Sequence, residues 1–488
     1  FNRVYETGVQ PDMVTFTPDG SSILTANEGE PREGYGEDTV DPAGTITVIE
    51  LAYGTANASV TEVDFTAYDS AEERQSLVDA GIVLQKGVNP SADFEPEYIA
   101  AGNDVAYVTL QEANAIAVLD LDAKEITGVY SAGFEDYSTV AVDIDKKDEA
   151  YNPKTYEDLK GIRMPDGIAL YTADGVDYLV TANEGDAREW GDYLNEDERD
   201  FGDGETSPTG KITAENSGLT GKVVFFGSED YDGLEDGVDY LYGGRSFTVF
   251  RADENGLTEV YDSGSEIEAK TAEYVPDNFN CSNDDVSMDD RSGKKGPEVE
   301  SVTTGTVGDR TYVFVGLERV GGVMVYDITD PENTVFANYI NSRDYSADIA
   351  GDDSPEGLSF IPAAESADGN AYLLAACEVS GTVAAYQLTA NEAVTPGGDE
   401  NPDGDQQDPG QDQTPGGDQN TGDDQNTDGS QNADDQQTAD KNQDGSGQKV
   451  ENSDAPRTGD TTAPAVYGGL ALAALMVAVA SVKRAKRR

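Results

Sequence analysis

The chain contains no histidine. That absence excludes His-based triads, His-ligated metals and an imidazole general base together. Any chemistry must run on carboxylates, Tyr, Lys, Arg, Ser, Thr or a metal held by oxygen. Cysteine is nearly missing too: Cys281 and Cys377 allow one disulfide at most, and cannot build a disulfide scaffold or a four-ligand zinc knuckle. Basic residues are scarce. Lys and Arg total 31 against 97 Asp and Glu, a formal net charge of −66 over 488 residues. Phosphate backbones are bound by a surplus of Lys and Arg, so a nucleic-acid partner is excluded. The acidity suits a solvated surface, or divalent cations held on clustered carboxylates. Apolar residues are 37% of the chain, a low share whose deficit is local rather than general.

The deficit lies near the C-terminus. Residues 394–454 are Gly, Asp, Gln, Asn, Thr and Pro with almost nothing apolar. Such a segment cannot offset its ordering entropy by burial, and is expected to be a disordered, self-repelling spacer. Residues 455–488 follow a different pattern: Ala455-Pro456-Arg457-Thr458-Gly459, an apolar run over about 463–482, then Lys483, Arg484, Lys486, Arg487 and Arg488. The run is long enough for a transmembrane helix, and the basic cluster would stay cytoplasmic. The Pro-x-Thr-Gly element resembles the sortase sorting signal of Gram-positive surface proteins, with Ala455 where Leu is usual. The resemblance implies cleavage between Thr458 and Gly459, attachment to peptidoglycan, and membrane contact only through the C-terminal helix before processing. Export requires a leader, and the chain opens at Phe1 without one, so an N-terminal portion is expected to be missing.

Residues 1–393 contain a repeat. Five copies share an acid, a short apolar strand, a turn, an alternating strand ending in Glu, and usually another alternating strand. The leading acids are Asp12, Glu97, Asp166, Glu300 and Glu356; the closing ones are Glu28, Glu112, Glu184, Glu318 and Glu378. Short Val-, Ile-, Tyr- and Thr-rich strands between Gly, Asp and Pro turns predict an all-β fold, a β-propeller of six to seven blades when intact. A further unit is expected over 245–261, an outer strand over Arg3 to Glu6, and a short helix over Ser70 to Ala80. The first two strands of a blade are antiparallel, so the leading and closing acids should meet at one mouth of the central channel.

Ten carboxylates on one face repel unless something compensates. The candidates are a cation such as Ca²⁺, nearby Arg and Lys, or raised pKa values. Alternatively the acids accept backbone N–H groups and hold the blades together. Arg188, Arg291 and Arg319 lie beside the motifs and are candidates to bind an anion, as are Arg32, Lys294 and Lys295 as counter-charges. The groups Asp143, Asp145, Asp148 and Asp284, Asp285, Asp289, Asp290 read as solvated loops.

Three stretches carry a resemblance: Thr181-Ala182-Asn183-Glu184-Gly185-Asp186-Ala187-Arg188, Asp289-Asp290-Arg291-Ser292 with Lys295-Gly296-Pro297-Glu298, and Gly316 through Asp327. They resemble the choice-of-anchor I family of bacterial surface propellers, akin to YVTN and WD40-like propellers, over roughly Val9 to Leu388. The resemblance implies a secreted, anchored propeller and brings no catalytic residue set. Two functions are expected from these readings. One is a recognition module displayed on the Gram-positive cell wall for an unknown surface ligand. The other is a calcium-dependent phosphoesterase in which Glu184, Glu318 and Glu356 hold metal while the three arginines grip phosphate.

Overall fold

The computed structural model describes residues 3–31, 40–51, 54–190 and 192–390. The expected spacer, sorting signal, Thr458 and Gly459, and Arg32, lie outside these residues. Among the described residues no helix is long and apolar enough to cross a membrane.

The described chain is built from strands, as the alternating pattern predicts. Five antiparallel sheets are its blades. Blade 1 comprises Pro11–Phe16, Ser22–Asn27, Thr45–Glu50 and Ser59–Asp64. Blade 2 comprises Pro96–Ala101, Val105–Leu110, Ala115–Asp120 and Glu125–Ser131. Blade 3 takes Ile168–Ala173, Val176–Ala182, Phe247–Asp253 and Gly256–Asp262. Blade 4 takes Val299–Val307, Arg310–Leu317, Val323–Asp327 and Val335–Ile340. Blade 5 has three strands, Pro355–Ile361, Ala371–Cys377 and Thr382–Leu388. The first strands of blades 1 to 5 are neighbours in that order. Blade faces pack on one another, so the apolar core is divided. Ala26, Ile46 and Val48 of blade 1 meet Ile99, Val108 and Ala117 of blade 2. Phe314 and Val325 of blade 4 meet Leu373 and Ala375 of blade 5.

Two expectations are corrected. The further unit over 245–261 is not a separate blade: Phe247–Asp253 pairs with Val176–Ala182 and completes blade 3. A 64-residue insertion, 183–246, separates the second and third strands and hides their kinship in sequence. Among the described residues the outer strand over Arg3 to Glu6 is not formed: that segment carries no strand assignment. The short helix does form, Ala71–Asp79, with the Ser70 hydroxyl accepting from the Glu73 N–H as its N-cap. Cys281 and Cys377 are both free and buried, in different core clusters.

The connections are unequal at the two ends. At the end where the first strands finish, no connection exceeds nine residues, as in 102–104, 174–175 and 362–370. At the acid-bearing end, long segments intervene: 65–95, 132–167, 183–246 and 263–298. They carry their own small core, including Tyr137, Phe201, Phe225 and Leu241. The carboxylates at that end therefore lie partly under protein rather than in open water.

Candidate functional site

The leading acids owe their direction to irregular strand starts. In blade 1 the pairing with the second strand skips from Pro11 to Met13, in blade 4 from Val299 to Ser301, and in blade 5 from Pro355 to Gly357. Asp12, Glu300 and Glu356 are the extra residues of these bulges, which frees their side chains from the in-and-out alternation of the ladder. In blade 2 the skip runs from Pro96 to Ile99 and releases Glu97 with Tyr98. The residue two places before the acid is left-handed in four blades, at Gln10, Met164, Glu298 and Ser354 with φ from 46° to 63°. That backbone turn, uncommon outside glycine, sets the bulge.

In blades 1 and 3 the closing acid is placed by a buried amide. Asn27 accepts from the Thr25 hydroxyl at 2.9 Å and donates to Thr45 and Thr47 on the third strand. Asn183 repeats this with Thr181, Ser246 and Thr248 at 2.8–3.0 Å. Each Asn is fully buried with its donors used, so it fixes the exit of the second strand and the Glu that follows.

These acids converge at the mouth. Carboxylate oxygens of Asp12, Glu28 and Glu97 lie within 4.8 Å of one another, as do those of Asp166, Glu184 and Glu300, and of Glu184, Glu298 and Glu318. Each of the first two trios joins the leading and closing acid of one blade to the leading acid of the next. Glu356 is pushed up to about 8 by burial and then by Glu378 and Asp12. Tyr98 is raised by burial and by Asp166, Asp12, Glu356 and Glu300 around it.

Charge compensation divides the mouth. On the side of blades 3 and 4, Lys295 Nζ lies 2.5 Å from Glu184 Oε1, 3.3 Å from Glu298 and 3.8 Å from Asp186. Gln111 donates to the other Glu184 oxygen at 2.9 Å. Arg319 Nε reaches Glu298 at 2.9 Å and Glu318 at 3.2 Å, and Arg291 Nε donates to Glu298 at 2.9 Å. Glu298 is wholly buried, and burial alone would raise its carboxyl. Arg291, Arg319 and Lys295 outweigh that and hold it well below the usual range.

On the side of blades 1 and 2 the charges acting on Asp12, Glu28 and Glu97 are acids, with Arg188 acting on Glu95 and Glu112 behind them. Asp12 is exposed at its outer edge, yet the protein crowded around its carboxyl and then Glu112 push it up to about 6. Burial, Asp12, Glu30 and Glu112 push Glu28 up to about 10. Burial and then Glu28, Asp12 and Glu112 raise Glu97. Oε2 of Glu95 lies 3.9 Å from Arg188 and Oε2 of Glu318 lies 3.2 Å from Arg319, whereas one oxygen of Glu112, and on blade 4 one of Glu300, is buried with no hydrogen-bond partner. Such an acceptor is costly unless a proton or a cation supplies what is missing.

The arginines expected to bind an anion are engaged by carboxylates. Arg188 is buried, donates to Asp93 Oδ1 and to the Asp93 carbonyl at 2.8 Å each, and lies 3.9 Å from Glu95. It ties the 183–246 insertion to the 65–95 segment. Arg291 and Arg319 share Glu298. Lys294 is not among the ion pairs of this cluster, whereas Lys295 is central to it. Sequence reasoning passed over Glu95 and Glu298 as site residues. The signal was present in Glu95-Pro96-Glu97 and Glu298-Val299-Glu300, where a second acid precedes the leading one by two. The remaining aspartates are not all solvated. Asp143, Asp145 and Asp289 are buried. Asp145 accepts from the Thr220 N–H at 2.8 Å and Asp143 from the Asn152 N–H at 2.5 Å, so they brace insertion loops.

Blade sheets with neighbouring first strands, and paired acids from successive blades at one mouth, define a β-propeller with an acidic, partly covered entrance. Residues 1–331 match the Choice-of-anchor I domain, and the chain belongs to that family. It is 28% identical over 340 residues to a mesenchyme-specific cell surface glycoprotein of Strongylocentrotus purpuratus, covering 58% of this chain and 42% of that protein. It is 31% identical over 172 residues to Gigasin-3a of Magallana gigas, covering 32% of this chain and 60% of that protein. The chain thus spans less than two thirds of either relative. Among solved structures, the Pseudomonas aeruginosa periplasmic gluconolactonase is similar at 12% identity, 80% of this chain, 86% of that chain and a TM-score of 0.29. The β-propeller domain of Cps50 (Swd1) from Myceliophteria thermophila is similar at 8% identity, with 77% and 83% covered and a TM-score of 0.31. The fold assignment rests on the strand pairing of this chain.

Proposed function

We propose that this chain is a surface-displayed propeller acting as a recognition module, with a divalent cation such as Ca²⁺ held in its acidic mouth. The observation that carries this is the convergence of three-carboxylate groups from successive blades, beside buried oxygens that have no donor. An oxygen trio no wider than 4.8 Å has a centre within about 2.8 Å of each atom, close to the 2.3–2.6 Å of calcium–oxygen bonds. A bound cation would offset the mutual repulsion and leave an open coordination side for a ligand's oxygens. Surface display is supported by family membership and by the cell-surface relative. The Pro-x-Thr-Gly signal supports attachment to peptidoglycan through sortase cleavage between Thr458 and Gly459.

The phosphoesterase reading asks Arg188, Arg291 and Arg319 to grip phosphate, and each is held by carboxylates. The geometry favours binding over hydrolysis. The test is thermal unfolding of the full chain in chelator and in calcium. Binding to the folded state alone stabilises by about 2.7 kcal/mol at a hundredfold excess over Kd. A melting temperature that rises with calcium supports the reading. Identical melts in chelator and in millimolar calcium overturn it.

A further inference from the structure

The end of the blades opposite the acidic mouth carries a cleft. It measures about 440 Å³, within the size range of small-molecule sites, and lies where the first strands of blades 3, 4 and 5 finish. The first strand of blade 4 runs through its middle. Alternation along that strand puts Thr304 and Thr306 on the side of Val302, which packs with Tyr171 in the core between blades 3 and 4. Thr311 stands opposite Thr306 on the second strand. Gly305 faces the other way, and a Cβ there would collide with the Phe360 ring of blade 5. The missing side chain lets that ring lie against the strand, where it also stacks on Phe314 at 5.9 Å and 18°.

The lining has a particular chemistry. It holds the Tyr171 and Phe360 rings and four threonines, and no charged side chain, in a protein of net charge −66. The Thr306 and Thr311 hydroxyls are 3.4 Å apart, a long contact that either can exchange for a shorter one. Tyr171 is 7% exposed, and its hydroxyl is buried with no hydrogen-bond partner. An ion entering this cleft would lose hydration with no countercharge to meet it. A purely apolar molecule would leave the hydroxyls of the lining unanswered. A sugar ring offers both kinds of surface: C–H faces that pack on aromatic rings, and hydroxyls that donate and accept as threonine and tyrosine do.

We infer that this cleft is a second recognition site, which takes a sugar ring of an uncharged glycan between the ends of blades 3, 4 and 5. The rings of Tyr171 and Phe360 receive its C–H surface, and the hydroxyls of Thr304, Thr306, Thr311 and Tyr171 bond to its own. The site needs no metal and is independent of the cation reading of the mouth.

The experiment presents the full chain, in chelator, to an array of neutral oligosaccharides of glucose, galactose, mannose and N-acetylglucosamine. Sialylated and sulfated glycans and uncharged peptides are the controls. Titration calorimetry then follows the retained glycan with the wild type, Tyr171→Phe and Thr306→Tyr. Neutral glycans should be retained and the controls should not. Tyr171→Phe should bind about threefold to tenfold more weakly, the worth of one hydrogen bond, while its melting temperature holds or rises, because the lost hydroxyl has no partner in the fold. Thr306→Tyr, at an exposed position, should fill the cleft and abolish binding without unfolding the chain. Adding calcium should leave the affinity unchanged. Retention of no neutral glycan at millimolar concentration overturns the inference, as does retention of the peptides in their place. Binding that survives Thr306→Tyr, or that requires calcium, puts the glycan elsewhere on the protein and overturns it as well.

Discussion

Replacing Glu298 with Gln tests whether the buried ion cluster at blades 3 and 4 holds the fold at the mouth. Glu298 is fully buried and receives Arg291 and Arg319 directly, with Lys295 at 3.3 Å. Gln keeps the shape and one acceptor oxygen but removes the charge that three cations share. Removing one partner of a buried pair costs about 3–5 kcal/mol, because the remaining charges stay buried and uncompensated. Unfolding entropy near 2.1 cal/mol/K per residue gives about 0.8 kcal/mol/K for a folded body of roughly 390 residues. The expected fall in melting temperature is therefore about 4–6 °C. Calorimetry of the full chain in chelator measures it, with the exposed Glu254→Gln as a control that should stay within about 1 °C. Adding Arg291→Met to Glu298→Gln should recover part of the loss, since one unpaired cation goes with it. A fall below 1 °C for Glu298→Gln would refute the claim that this cluster is a fully desolvated, interdependent unit.

Gly243 has φ 73°, and a Cβ there would collide with the Glu184 carbonyl, so Gly243→Ala should destabilise the chain and weaken calcium retention together. Circular dichroism melts paired with dialysis check this. Asp289 is raised to about 7, chiefly by burial and then by Asp143 and Asp148. Its folded value exceeds its unfolded one, so its contribution is present in full below about 3.8 and is lost as pH climbs through 7. Asp289→Asn, which mimics the protonated form, should therefore raise the melting temperature at pH 8 and have no such advantage at pH 4. Burial pushes the Cys281 thiol up to about 12 and the Cys377 thiol up to about 11. Both should resist a thiol reagent in the folded chain and react on unfolding, and a reductant should leave the melt unchanged.

Much of the architecture was legible because a repeat declares itself. The alternation in Ser22–Asn27 and its counterparts predicted strands, and the recurring acids predicted which ends meet. Hydrophobic period and strand antiparallelism are local rules, and they held locally. The 183–246 insertion defeated them. It separates strands that pair in blade 3, and nothing in Phe247–Asp253 alone says that its partners lie 65 to 75 residues earlier. The tilt of Asp12, Glu300 and Glu356 out of the ladder was hidden for a similar reason, since a bulge is a property of two strands in register. Lys295 was visible as a cation near acids, but its seat against Glu184 depends on where the 263–298 segment folds back. The arginines misled most. Arg188 beside the Glu184 motif looked available for an anion, and its partner Asp93 lies 95 residues away in sequence.

The central claim is that the mouth holds an exchangeable cation. A crystal structure of the full chain grown in millimolar calcium, with anomalous scattering recorded, tests it most directly. The account predicts a calcium peak within the carboxylate groups of the mouth, such as that of Asp12, Glu28 and Glu97. A mouth containing water alone at that calcium concentration would contradict it.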